Sequence, residues 1–172
     1  MNGETLAELA FISLGSNIHP EDNLPRAVQA LETLGTLLTV SNVYQNPAVG
    51  PTPQADFLNA AALVRTRLPA LDIRTHLRTI EADLGRVRSA DKYAPRTIDL
   101  DLCLLGASVL DHPDLQLPDP GIVRHAHLAI PLAELMPAFL HPVLNEPLKD
   151  LAGRLLPEAD LTLRPDVQLQ KK

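Results

Sequence analysis

Short apolar runs alternate along the chain with turn residues and with stretches at helical spacing. LAFISLG, within residues 6–15, closes on Gly15-Ser16-Asn17 and predicts a buried strand entering a turn. In the segment that follows, Leu24, Ala27, Val28, Leu31 and Leu34 recur at helical spacing, with Pro25 in an early turn and Gly35 at the end. Residues 37–45 predict a strand and the proline-rich residues 46–54 a loop. Residues 57–67 predict a second long strand, with Leu58, Ala60, Ala62 and Val64 on one face. Ile73, Leu77, Ile80 and Leu84 then form the clearest helical stripe, from Pro69 to Gly85.

A charged loop over 86–96 leads into PRTIDLDLCLLG, a strand whose alternation puts Ile98, Leu100, Leu102 and Leu104 on one face. Asp99 and Asp101 fall on the other, with Cα atoms about 6.6 Å apart. A polar, proline-containing stretch over 111–121 precedes a short helix interrupted at Pro131, and residues 166–172 read as a frayed tail. The order β-α-β-β-α-β with additions predicts one domain over 1–172. Its class is α+β, a ferredoxin-like α/β sandwich with a central, mostly antiparallel sheet flanked by helices.

Composition narrows the function classes. Of 172 residues, 15 are Lys or Arg and 21 Asp or Glu, a net charge of −6 that argues against general nucleic-acid binding. The single cysteine, Cys103, allows no intrachain disulfide and no cysteine-based zinc site; it reads as a small buried residue. No run is long enough to span a membrane, and the opening residues do not read as a secretory signal, so the expectation is a cytoplasmic protein.

Two carboxylates at strand spacing suit a hard cation, although a solvated strand face accounts for the same pattern. Arg86, Arg88, Lys92 and Arg96 lie just upstream in an otherwise acidic chain. Guanidinium groups beside cation-binding carboxylates are what a polyphosphate requires, the alternative being an ion-pair network with nearby acids. Neither of the common phosphate-cradling glycine motifs is present. Phe57 and Asn59 share a strand face and could read the face and edge of a flat heterocycle, or Asn59 could be satisfied by backbone. Glu81, one step past its apolar stripe, could meet ligand or arginine. His125 and His127 face apart on a helix and together on a strand, which disfavours a metal site there.

In this order and spacing, FISLGSN, YQNPAVGP, DFLNAA, IEADLGRVR and YAPRTIDLDLCLLG resemble the hydroxymethyldihydropterin pyrophosphokinases of folate biosynthesis, over residues 10 to 132. The resemblance implies a monomer that transfers the β,γ-diphosphate of ATP to the hydroxymethyl group of a dihydropterin, releasing AMP. It implies two Mg²⁺ ions on Asp99 and Asp101, with Arg86 and Arg96 as catalytic residues. Glu81, Arg88 and Lys92 would bind ATP. Gly15, Ser16, Asn17, Asn46, Pro47, Val49, Phe57 and Asn59 would bind the pterin, and loops 46–54 and 86–96 would be mobile lids. Asp119, His125 and His127 stand where the family usually has histidine, arginine and phenylalanine, and Lys92-Tyr93 where Arg-Trp is frequent. His127 would then replace a stacking aromatic. The competing readings are a metal-dependent nucleotide hydrolase and a non-catalytic ligand-sensing module.

Overall fold

The computed structural model describes residues 6–170. Strand β1 (Glu8–Ser16) is followed by helix α1 (Pro20–Ala30) and a 3-10 turn over Leu31–Leu34. Next come β2 (Thr36–Val40), β3 (Tyr44–Asn46), β4 (Phe57–Thr66), α2 (Ala70–Asp83) and β5 (Asp99–Leu105). The hairpin β6 (Leu110–His112) and β7 (Leu115–Leu117) leads to α3 (Ala126–Leu135), α4 (Leu148–Leu155) and the short β8 (Thr162–Leu163). The main sheet runs β5-β1-β4-β3-β8, with β2 also on β4, and its pairings are antiparallel. With β2 and β3 counted as one interrupted strand, the core has the strand order of the expected ferredoxin-like sandwich.

Both sheet faces are covered. On one, Ala10, Ile12 and Leu14 of β1 and Ala60, Ala62 and Val64 of β4 pack with the stripes of α1 and α2. On the other, Phe11, Ala61, Leu63, Cys103 and Leu104 pack with α3 and α4. A strand buried on both sides reads as a near-continuous apolar run, as β4 does.

Four local expectations are corrected. Leu104 does not share a face with Leu100 and Leu102, because the β1–β5 register shifts between Phe11 and Ile12 and gives β5 an extra residue at Cys103. The strand over 37–45 is two strands, and the break is closed by Ser41, whose amide donates to the Ala61 carbonyl while its hydroxyl accepts from the Ala61 amide. Helix α3 runs through Pro131 without interruption. The tail is not frayed throughout: Val167 and Leu169 are buried against the core, and residues 171–172 lie outside the described residues. The hairpin β6–β7 and helix α4 had no counterpart in the sequence reading.

Candidate active site

The face of the sheet that carries Phe11 and Ala61 also carries Ser13 and Gly15 of β1, Phe57 and Asn59 of β4, and Asp99 and Asp101 of β5. Toward the ends of these strands this face forms the floor of a cavity of about 550 Å³ instead of core. Asn46, Pro47 and Val49 from the proline-rich loop, Lys92, Tyr93 and Arg96 from the charged loop, and Asp119, Arg124, His125 and His127 complete the wall. A strand pair that is apolar on one side and polar at one end of the other is how two aspartates fit into β5.

The two aspartates differ. Asp99 Oδ1 accepts from Arg86 Nη1 at 2.5 Å and its Oδ2 from Arg96 Nη1 at 2.7 Å. Burial alone would push its carboxyl upward, but the hydrogen bond and charge of Arg86, joined by Arg96, hold it below the usual carboxylate range. The Asp101 side chain keeps 47 % of its surface open to the cavity and has one arginine near it, Arg78 Nη2 at 3.6 Å. Its recessed position and the neighbouring Asp99 charge push it up to about 6. Asp119 accepts from the Gly121 amide at 2.7 Å and is also raised by burial.

Behind the aspartates lies Glu81, 1 % exposed. It accepts from Arg78 Nη1 at 2.9 and 3.0 Å, from Arg86 Nη1 at 2.8 Å, from Arg88 Nη2 at 2.6 Å and from the Leu100 amide at 2.8 Å. Of the two alternatives the sequence leaves open, the structure shows the ion-pair network, and it is built against the acidic pair. Glu81, Arg86 and Arg88 do not line the main cavity. With Arg74, Arg78 and Ala82 they line an adjoining groove.

The glycine turn divides in two. Gly15 lines the cavity, and a Cβ there would lie 3.0 Å from Asn59 Oδ1. Ser16 and Asn17 are buried joints: the Ser16 hydroxyl donates to the Thr97 carbonyl at 2.6 Å. Asn17 Nδ2 donates to Gln54 Oε1 at 2.7 Å and its Oδ1 accepts from the Arg96 amide at 2.8 Å. Gln54 Nε2 donates to the Tyr93 carbonyl at 2.8 Å, so the two loops flanking the cavity are tied to each other and to β1. Asn59 Nδ2 donates to Asn46 Oδ1 rather than to backbone.

His125 and His127 come together, as the extended alternative has it. His125 is extended at the N-cap of α3, and the two rings stack with centroids 5.4 Å apart at 25°. Burial, then the His125 charge, holds the His127 pKa below the usual imidazole value, and its flat ring lines the cavity. Asp119, Arg124 and His125 are wall residues to which the sequence reading assigns no site role; the departure from the family pattern signals Asp119 and His125, and nothing in the sequence singles out Arg124.

Among the described residues no three His, Cys, Asp or Glu side chains converge as a metal site. A hard cation that completes its shell with water and phosphate oxygens still fits the Asp99–Asp101 pair, since Mg²⁺ usually takes only one or two protein carboxylates. No helix among the described residues is long and apolar enough to cross a membrane.

Residues 11–137 match the family model for 7,8-dihydro-6-hydroxymethylpterin-pyrophosphokinase. The chain is 35 % identical over 156 residues to a Pseudomonas aeruginosa protein named 2-amino-4-hydroxy-6-hydroxymethyldihydropteridine pyrophosphokinase, covering 89 % of this chain and 90 % of that one. A Haemophilus influenzae protein of the same name is 32 % identical over 149 residues, covering 83 % and 92 %. Among solved structures, wild-type Plasmodium falciparum HPPK-DHPS with pteroate superposes with a TM-score of 0.70 at 13 % identity. The match covers 92 % of this chain but 44 % of that one, and at that identity the likeness is one of fold.

Proposed function

Because the chain belongs to the 7,8-dihydro-6-hydroxymethylpterin-pyrophosphokinase family, we propose that its cavity transfers diphosphate from ATP to the hydroxymethyl oxygen of the reduced pterin, releasing AMP. It is a pyrophosphokinase, a transferase of folate biosynthesis. The observation that carries the site reading is the opening of Asp99 and Asp101 into the same cavity as Phe57 and Asn59, beneath Lys92 and Arg96.

Asp99 and Asp101 hold Mg²⁺, two ions by the family resemblance, and bound Mg²⁺ offsets phosphate charge. Arg96 and Lys92 reach the polyphosphate from the cavity side and Arg88 from the adjoining groove. Arg86, committed to Glu81, Asp99 and the Ile98 carbonyl, fixes the position of Asp99. At the other end, the Asn59 amide, oriented by Asn46, reads the pterin edge, while Phe57 and His127 offer flat surfaces. Ser16 and Asn17 act on the pterin through the loops they anchor.

In the reaction the pterin hydroxyl oxygen forms a bond to the β-phosphorus, the bond from that phosphorus to the oxygen bridging the α-phosphate breaks, and the hydroxyl proton leaves to solvent. Such a step depends on alignment and on relief of developing negative charge more than on a strong base. Loops 46–54 and 86–96, tied together through Gln54 and Tyr93, exclude water when both substrates are seated.

Incubation with ATP, Mg²⁺ and the reduced hydroxymethylpterin tests the proposal, with nucleotides resolved by chromatography. AMP formed only when the pterin is present is the expected result. Phosphate release without pterin would mark a hydrolase, and Mg²⁺-indifferent ATP binding without turnover would mark a sensing module.

A further inference from the structure

Arg78 projects from α2 between the buried Glu81 and the open carboxylate of Asp101. Its Nη1 is held by both Glu81 oxygens at 2.9 and 3.0 Å, which leaves Nη2 3.6 Å from Asp101 Oδ1. That is close enough for charge pairing and too long for a good hydrogen bond. By contrast, Arg86 commits a single nitrogen to three acceptors at 2.5, 2.8 and 3.2 Å and is 11 % exposed. Asp99 is thus firmly paired, whereas Asp101 is loosely paired to a guanidinium that is 30 % exposed and lines the groove with Arg74, Arg86 and Arg88.

Resting on the reading of Asp99 and Asp101 as the cation pair, we propose that Arg78 is an exchangeable counter-ion. It neutralises Asp101 in the empty site, gives that carboxylate up when a divalent cation arrives with the nucleotide, and turns its freed Nη2 to the polyphosphate. The Glu81 anchor makes the exchange short-range, because the Nη1 end stays fixed while the other end changes partner. A cation alone would have to displace Arg78 without compensation. A cation accompanied by phosphate oxygens would supply the guanidinium with a new acceptor. Arg78 is therefore a nucleotide-binding residue that favours loading of the metal–nucleotide pair over loading of the metal alone.

Calorimetry on the full chain tests this with two titrants: Mn²⁺ alone, and an ATP analogue with a non-cleavable α,β-bridge in excess Mg²⁺. In Arg78→Gln, Mn²⁺ alone should bind at least threefold more tightly than in the wild type, and the analogue at least threefold more weakly. Arg78→Lys keeps the cation without the fork anchored on Glu81 and should fall between the two in both titrations. Either affinity of Arg78→Gln within twofold of the wild type overturns the proposal. If the wild type itself binds neither titrant, the cation-site reading falls and the proposal with it. If Asp101→Asn loses the Mn²⁺ site while Arg78→Gln is unchanged, Arg78 alone is misassigned.

Discussion

Arg86 Nη1 lies 2.5 Å from Asp99 Oδ1 and 2.8 Å from Glu81 Oε1, so one nitrogen joins a cavity carboxylate to a fully buried one. Glu81 is the deeper partner and serves Arg78, Arg88 and the Leu100 amide as well. Removing one member of a buried charge network leaves the others uncompensated, at about 3–5 kcal/mol. Glu81→Gln should therefore lower the denaturant midpoint markedly and, in the protein that still folds, raise the KM for ATP. An unchanged midpoint would mean the network is slack.

Asp99→Ala and Asp101→Ala should each reduce turnover by at least about 100-fold, the scale of losing several kcal/mol of charge stabilisation. Both variants should keep the far-ultraviolet circular dichroism of the wild type, because these side chains face the cavity rather than the core. Steady-state kinetics beside the spectra decides it, and full turnover in either variant would contradict the assignment.

The carboxyl of Asp101, raised to about 6 by its recessed position and by Asp99, has a defined effect on stability in metal-free protein. A folded-state pKa above the unfolded value means the folded form holds the proton more tightly. The protonated form is thus favoured at low pH, and a penalty for ionisation appears as pH rises through about 6. Asp101→Asn should raise the melting temperature relative to wild type at pH 8 in chelator. The gain should shrink toward pH 4.5, where the wild-type carboxyl is already neutral. A gain independent of pH would point to a cause other than ionisation.

Gly15 sits opposite Asn59 in the β1–β4 pairing, and an added Cβ would lie 3.0 Å from Asn59 Oδ1. Gly15→Ala should push the amide off its position and weaken pterin binding by about tenfold, the scale of one displaced hydrogen bond to a bound ligand. Binding of the ATP analogue should stay close to wild type. Fluorescence titration with the pterin checks this, and loss of both affinities would indicate a wider disturbance of β1.

Much of this arrangement was legible in the sequence because it rests on period. The stripes of α1 and α2, the faces of β4 and the pairing of Asp99 with Asp101 all follow from 3.6- and 2-residue spacing. What escaped depends on contacts between distant segments. The extra residue at Cys103 becomes visible only once β5 is laid beside β1, and it moved Leu104 to the opposite face. The Ser41 patch needs Ala61 across the sheet. Ser16 and Asn17 belong to the right turn, but burial made them anchors for Thr97, Gln54 and Arg96 instead of cavity lining. The helix position of Glu81 suits ligand and arginine alike, because spacing does not reveal how many guanidinium groups converge on its carboxylate.

The most direct measurement is an anomalous difference map from crystals grown with Mn²⁺ and the non-cleavable ATP analogue. The account requires manganese peaks within coordination distance of the Asp99 and Asp101 carboxylates, with the analogue's phosphates between them and Arg96. An analogue bound elsewhere, or bound here with no peak at either aspartate, would contradict it.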